Sequence, residues 1–209
     1  MKIFCDLDGT IIDISIRHYR VYEEVVEGLG GKPIAKKKYW TLKRDRAKWA
    51  EILTLSKLSL DTEPKFLNSF IRKIEDPQYL SLDLLFPNAI SALEIFSRLG
   101  ECYLVSLRRN RANLIEEVKR LGLEEHFTEI LTGHSENDGY DVKIMLIKDK
   151  LDDGDGIIIG DTEADIVTGK SLGLRTVALS SGMRSKQFLA SLKPDYLLDS
   201  ISNVPELIS

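Results

Sequence analysis

The sequence is short of the residues that build disulfide frameworks and zinc sites. It has two cysteines, Cys5 and Cys102, each inside an apolar run, and three histidines, His18, His126 and His134, scattered without a ligand pattern. No disulfide scaffold and no Cys/His metal spacing can be made from these. There is no excess of positive charge either. Lysine and arginine number 29 against 33 aspartates and glutamates, a net charge of −4, which argues against nucleic acid as a partner because phosphate backbones attract basic surfaces. No apolar run approaches the ~20 residues of a membrane span. The first apolar run is cut by Asp6 before it could serve as a secretory signal. Repeats and low-complexity tracts are missing too. These absences lead to the expectation of a soluble, cytoplasmic protein with no membrane or nucleic-acid partner.

What remains is an ordinary globular composition. At 209 residues, 43% hydrophobic and 30% charged, the chain can bury one full-sized core, or a core with a small insertion. Strand and helix signals alternate along most of it, which predicts an α/β fold with a mainly parallel sheet. Strands are expected at 2–5, 101–105, 128–131, 156–159, 175–179 and 195–198. Helices are expected between them at 89–99, 111–121, 140–151 and 164–172, with a terminal turn at 204–208. Polar loops are expected at 135–139 and 152–156. The alternation breaks over 14–85, where no strand signal stands out and helical patterns cover 16–29, 35–43, 45–55 and 63–74. The expected organisation is therefore a core of residues 1–13 and 86–209 with a helical insertion, 14–85, directly after the first strand.

Two acidic clusters stand at the ends of apolar runs. The first strand stops at Asp6-Leu7-Asp8-Gly9-Thr10, and the strand 156–159 stops at Gly160-Asp161-Thr162-Glu163-Ala164-Asp165. Each has a plain structural reading: Asp8-Gly9 is a common turn pair, and acids at the start of a helix suit its dipole. Together they suggest more. In an open parallel sheet, ligands bind beyond the carboxyl ends of the strands, and Asp6, Ser106 and Asp161 all stand at such ends. Carboxylates gathered there make a poor core and a good metal or phosphate site.

In order and placement these residues, with Lys143 between them, resemble the haloacid dehalogenase-like superfamily of phosphatases. The resemblance implies a Rossmann-like parallel sheet with helices on both faces and a small all-helical cap inserted after the first strand. It implies Asp6 as nucleophile, forming an aspartyl-phosphate, and Asp8 as the acid that protonates the leaving oxygen and then the base that activates water. It implies Mg²⁺ held among Asp6, Asp8, Asp161 and Asp165, and phosphate oxygens met by Gly9, Thr10, Ser106, Leu107 and Lys143. The expected activity is Mg²⁺-dependent hydrolysis of a small phosphomonoester, such as phosphoglycolate or a sugar phosphate. A phosphomutase and a catalytically silent regulatory protein are the alternatives. Selectivity is expected from the cap, where Arg17, Lys43, Arg44 and Arg46 are candidate cations for the rest of the substrate.

Overall fold

A computed structural model of the chain describes residues 1–134, 139–151 and 156–208. The loops expected at 135–139 and 152–156 lie, apart from Gly139 and Gly156, outside the described residues. The chain divides into two compact units: Met1–Asp13 with Leu84–Ser209, and Ile14–Asp83.

The first unit is built on a six-stranded sheet. In chain order its strands are β1 (Lys2–Cys5), β4 (Glu101–Ser106), β5 (Glu129–Thr132), β6 (Gly156–Gly160), β7 (Arg175–Leu179) and β8 (Tyr196–Leu198); β2 (Ile12–Asp13) and β3 (Leu84–Leu85) form a separate ribbon. The spatial order is β5-β4-β1-β6-β7-β8, and every neighbouring pair is parallel. Parallel strands covered on both faces read as continuous apolar runs, and this holds here. Ile3, Phe4 and Cys5 on β1 and Ile157, Ile158 and Ile159 on β6 are all buried, although successive side chains point to opposite faces. The helices Ala89–Leu99, Arg111–Arg120, Tyr140–Lys148 and Glu163–Leu172 connect the strands. The result is the α/β, Rossmann-like architecture expected from the sequence.

The central strand, β1, lies between β4 and β6. The chain runs outward from it in both directions, which makes its carboxyl end a topological switch point and the natural place for a ligand. The ribbon was not anticipated. Ile12 pairs with Leu85 and Asp13 with Leu84, antiparallel, and two residues per strand are too few for any periodic signal.

The second unit, Ile14–Asp83, consists of the helices Ser15–Gly28, Lys36–Arg44, Trp49–Leu55, Glu63–Lys73 and Pro77–Leu80, with a short 3₁₀ turn at Leu60–Thr62. Its core is aromatic. Tyr22 and Tyr39 stack at 4.2 Å, and Trp49 lies 4.8 Å from Phe66 and 5.2 Å from Phe70. A fully buried ring such as Phe66 contributes roughly 1.5–3 kcal/mol by leaving water. The Tyr22 hydroxyl shares a 2.6 Å hydrogen bond with Ser56 and accepts one from the Ile34 N–H at 2.9 Å. No helix among the described residues is long and apolar enough to cross a membrane.

Candidate active site

The loop after β1 sets the site. The Asp6 N–H donates to the Ile159 carbonyl at 2.9 Å, so the chain keeps the path of the strand one residue past β1. It then turns tightly. Ile11 N–H donates to the Leu7 carbonyl at 2.9 Å and Gly9 N–H to the Ile12 carbonyl at 2.8 Å. Gly9 sits at φ +85°, where an L side chain is strained. Space excludes one as well: a Cβ on Gly9 would strike the Asp161 carboxylate, and a Cβ on Gly182 would strike both that carboxylate and the Gly9 carbonyl. The two glycines let the loops after β1 and β7 close around Asp161.

Three carboxylates and one lysine meet there. Asp161 follows β6 and is fully buried. Its Oδ2 accepts from the Met183 N–H, and its Oδ1 lies 3.4 Å from the Thr10 hydroxyl, which is also 3.4 Å from Asp6 Oδ2. One hydroxyl thus stands between the carboxylates of two different strands. Lys143, on the helix Tyr140–Lys148, is 2% exposed, and its Nζ lies 2.6 Å from Asp6 Oδ1 and 2.5 Å from Asp165 Oδ1. Asp165 in turn accepts from the N–H and the hydroxyl of Thr162 through its Oδ2, at 3.1 and 2.8 Å, and so also fixes the start of the helix Glu163–Leu172.

The electrostatics follow from this crowding. Burial pushes Asp6 up to about 7, with Asp165 and Asp8 adding to the rise and Lys143 opposing it. Burial raises Asp161 well above the usual carboxylate range, helped by Asp6 and Asp165 and offset by the Met183 N–H and Lys143. Burial works against the Lys143 charge, but Asp165 and Asp6 outweigh it and hold the ammonium above its ordinary value. The cluster therefore holds more carboxyl groups than its one lysine neutralises, and Asp6 and Asp161 hold protons more tightly than exposed aspartates do. Asp6 and Asp161 present hard carboxylate oxygens, the donor type Mg²⁺ takes, so the donor chemistry suits that ion. Among the described residues, no group of three or more His, Cys, Asp or Glu side chains is gathered in a geometry ready to hold a metal.

Several expected site residues have partners within the chain. The Asp165 carboxylate is taken up by Lys143 and Thr162, and the Asp8 carboxylate by an arginine, so of the four expected ligands Asp6 and Asp161 are the two placed around Thr10. Lys143 rests on carboxylates. Ser106 is buried at the end of β4, where its Oγ accepts from the Arg108 N–H at 3.3 Å. Leu107 borders Gly139, where a Cβ would collide with it. In the helical unit, Arg17 is buried, with its Nε 3.0 Å from Asp83 Oδ2 and its Nη1 donating to the Ile74 carbonyl at 3.2 Å. Its charge holds that unit's own fold together. Lys43 places its ammonium 4.0 Å from the centre of the Trp49 ring, Arg44 is half-buried, and Arg46 is exposed.

Arg108 is the residue that sequence reasoning passed over. It donates from Nε to Asp8 Oδ2 and from Nη2 to Asp8 Oδ1, both at 2.7 Å, and from Nη1 to Glu117. Its only signal in the sequence was its position, two residues beyond Ser106 in a loop at the carboxyl end of a strand.

Comparison with known proteins bears on the family and the fold. A family profile described as haloacid dehalogenase-like hydrolase matches residues 3–179. Among curated proteins, pyrophosphatase PpaX of Bacillus mycoides is 38% identical over 53 residues, 25% of either chain. That of Bacillus velezensis is 26% identical over 91 residues, 42% of either chain. The matched stretches thus span less than half the length of these relatives. Among solved structures, a haloacid dehalogenase-like family hydrolase from Streptococcus pneumoniae superposes with a TM-score of 0.81 at 23% identity, covering 100% of this chain and 98% of the other. A protein predicted to be a phosphoglycolate phosphatase, from Haemophilus somnus, gives 0.76 at 20% identity, covering 99% and 97%.

Proposed function

Since the chain belongs to the haloacid dehalogenase-like hydrolases, we propose that it is a Mg²⁺-dependent phosphatase of small phosphate esters or anhydrides, working through an aspartyl-phosphate on Asp6. One observation carries the reading: the Asp6 carboxylate, at the end of the central strand, lies 2.6 Å from Lys143 and shares the Thr10 hydroxyl with Asp161. A carboxylate braced by a buried cation, beside a second, buried carboxylate, has the parts of an anionic nucleophile next to a cation site.

The chemistry assigned to these residues is as follows. The Asp6 carboxylate attacks phosphorus; a bond forms between its oxygen and phosphorus, and the bond from phosphorus to the leaving oxygen breaks. Asp8 gives that oxygen a proton. It then takes one from water, whose oxygen attacks phosphorus and releases Asp6 and inorganic phosphate. Lys143 and the N–H groups of the loops at Gly9 and Leu107 stabilise negative charge on the phosphoryl oxygens, with the Ser106 hydroxyl as a further donor. Asp6 and Asp161 would hold Mg²⁺, with Asp165 orienting Lys143 behind them. Bound there, the ion would let the two anions approach and would share the charge on the transferring group.

The helical unit is assigned the choice of substrate, as a cap domain with Lys43, Arg44 and Arg46 as its candidate cations. The partial match to proteins named as pyrophosphatases adds inorganic pyrophosphate to the candidates. The test is a panel of phosphate esters with pyrophosphate, assayed with Mg²⁺ and with EDTA, beside Asp6→Asn and Asp8→Ala. Turnover that needs Mg²⁺ and falls at least a thousandfold in Asp6→Asn is expected. Turnover that survives EDTA and both substitutions removes the mechanism.

A further inference from the structure

Arg108 and Glu117 lie outside the residues on which the family resemblance rests, yet the fold buries both, at 5% and 3% exposure. Two distant stretches of the chain converge on them. Asp8 comes from the loop after β1, Arg108 lies 100 residues later in the loop after β4, and Glu117 lies on the helix Arg111–Arg120. The result is a line of alternating charge: Asp8, Arg108, Glu117 and then Arg120, whose Nη2 lies 3.1 Å from Glu117 Oε1. Arg108 touches both Asp8 oxygens at 2.7 Å. A two-point contact from a planar guanidinium fixes the plane of a carboxylate as well as its position, which the point charge of a lysine could not do. A carboxylate oxygen accepts more than one hydrogen bond, so contact with the fork does not by itself bar Asp8 from carrying a proton. Glu117 grips the guanidinium from the other side, so the fork cannot swing.

Ion pairs this buried contribute little to stability compared with an apolar replacement, and placement of Asp8 explains the arrangement better. We infer that Arg108, braced by Glu117, is a positioning residue that holds Asp8 at one angle for its proton transfers. The inference rests on the phosphatase reading above.

The test compares two substrates across variants. A proton on the leaving oxygen matters greatly for glycerol phosphate and much less for p-nitrophenyl phosphate, whose leaving group is a weak base. In Arg108→Met and Arg108→Lys, the single-turnover rate of leaving-group release, which precedes the water attack common to both substrates, is expected to fall by about 10- to 100-fold on glycerol phosphate, the cost of a misplaced catalytic group. The loss on p-nitrophenyl phosphate is expected to be several-fold smaller, with KM and inhibition by inorganic phosphate changed less than about twofold. Glu117→Gln guards against misfolding, since it keeps size and leaves the fork in place. It is expected to show the same substrate pattern at about a 3- to 10-fold loss, an outer-shell effect. Added to Asp8→Ala, Arg108→Met is expected to cost nothing further. Equal losses on both substrates, a rise in KM alone, or an Arg108→Lys enzyme as fast as wild type overturns the inference while leaving the phosphatase reading intact. Turnover of neither ester overturns this inference, which concerns a proton given to an ester oxygen; turnover of no ester and no anhydride in the panel above, or activity unaffected by Asp8→Ala, overturns the phosphatase reading with it.

Discussion

Asp6 and Lys143 show how single residues set the behaviour of the site. Burial holds Asp6 near 7 in the metal-free chain, far above the 3.8 of an exposed aspartate, so the folded protein keeps a proton that the unfolded chain gives up. A carboxylate whose folded value is raised contributes stability that is complete below about 4 and is lost as pH rises through about 7. In EDTA, wild type is therefore expected to lose stability against Asp6→Asn between pH 5 and pH 8. Urea midpoints at the two pH values measure this, and a constant gap between the proteins would contradict it. The second prediction at this scale concerns backbone space. Gly182→Ala would drive a methyl into the Asp161 carboxylate and the Gly9 carbonyl, and a backbone carbonyl cannot step aside as a flexible side chain can. The substitution is expected to cost about 1–3 kcal/mol of stability and at least tenfold in turnover, read by urea unfolding and by initial rates.

At the scale of elements, the helical unit is tied by its own ends. Arg17 lies on its first helix and Asp83 is its last residue, and neither side chain is more than 3% exposed. Breaking a buried pair strands the surviving charge and costs about 3–5 kcal/mol. Asp83→Ala is expected to lower the stability of this unit by that order. Both tryptophans, Trp40 and Trp49, lie inside it, so tryptophan fluorescence reports the loss directly, and an unchanged fluorescence midpoint would refute the tie. A second link joins the last two strands. Thr176 N–H and Oγ both donate to Asp195, at 2.7 and 2.8 Å, and hold its carboxyl below the usual range. Its contribution is present above about 4 and fades as pH falls through the lowered folded value. Asp195→Ala should cost about 1 kcal/mol at pH 7 and progressively less as the pH falls below about 4, with unfolding midpoints as the measure.

These links also mark where the sequence was legible. The six core strands were readable because buried parallel strands are plain apolar runs, and Asp6 and Asp161 because an acid that ends such a run stands out. The ribbon of β2 and β3 and the short helices Pro77–Leu80 and Lys186–Ser191 offer too few residues to show a period. Arg17 and Arg108 are cations, which a sequence reading assigns to a substrate, as it did Arg17, or to solvent unless their partners are known. Their partners, Asp83 and Asp8, lie far away in the chain, so only the folded structure shows that both are buried. Asp165 was read through its motif, while its cap on Thr162 and its contact with Lys143 depend on side-chain directions that the motif does not carry.

For the whole molecule, the consequential feature is that the chain leaves and rejoins the first unit at one paired position. Asp13 faces Leu84 across the β2–β3 ribbon, so residues 14–83 begin and end on neighbouring strands. The core sheet, its covering helices and every residue assigned to the chemistry lie outside that segment. If the helical unit is a cap concerned with selectivity, the core should survive without it. An Asn-Gly pair favours the tight turn that joins antiparallel strands, and it could replace residues 14–83 by linking Asp13 to Leu84. The shortened chain is expected to fold cooperatively, followed by circular dichroism because both tryptophans are gone. Mg²⁺ at a hundred times its dissociation constant should stabilise it by about 2.7 kcal/mol, as any ligand specific to the folded state does, and Asp161→Asn should remove that gain. Turnover of p-nitrophenyl phosphate should persist at a reduced rate while preference among natural esters flattens. A shortened chain that folds and keeps full discrimination would place the source of selectivity in the core. One that does not fold would show that the core needs the helical segment for its stability.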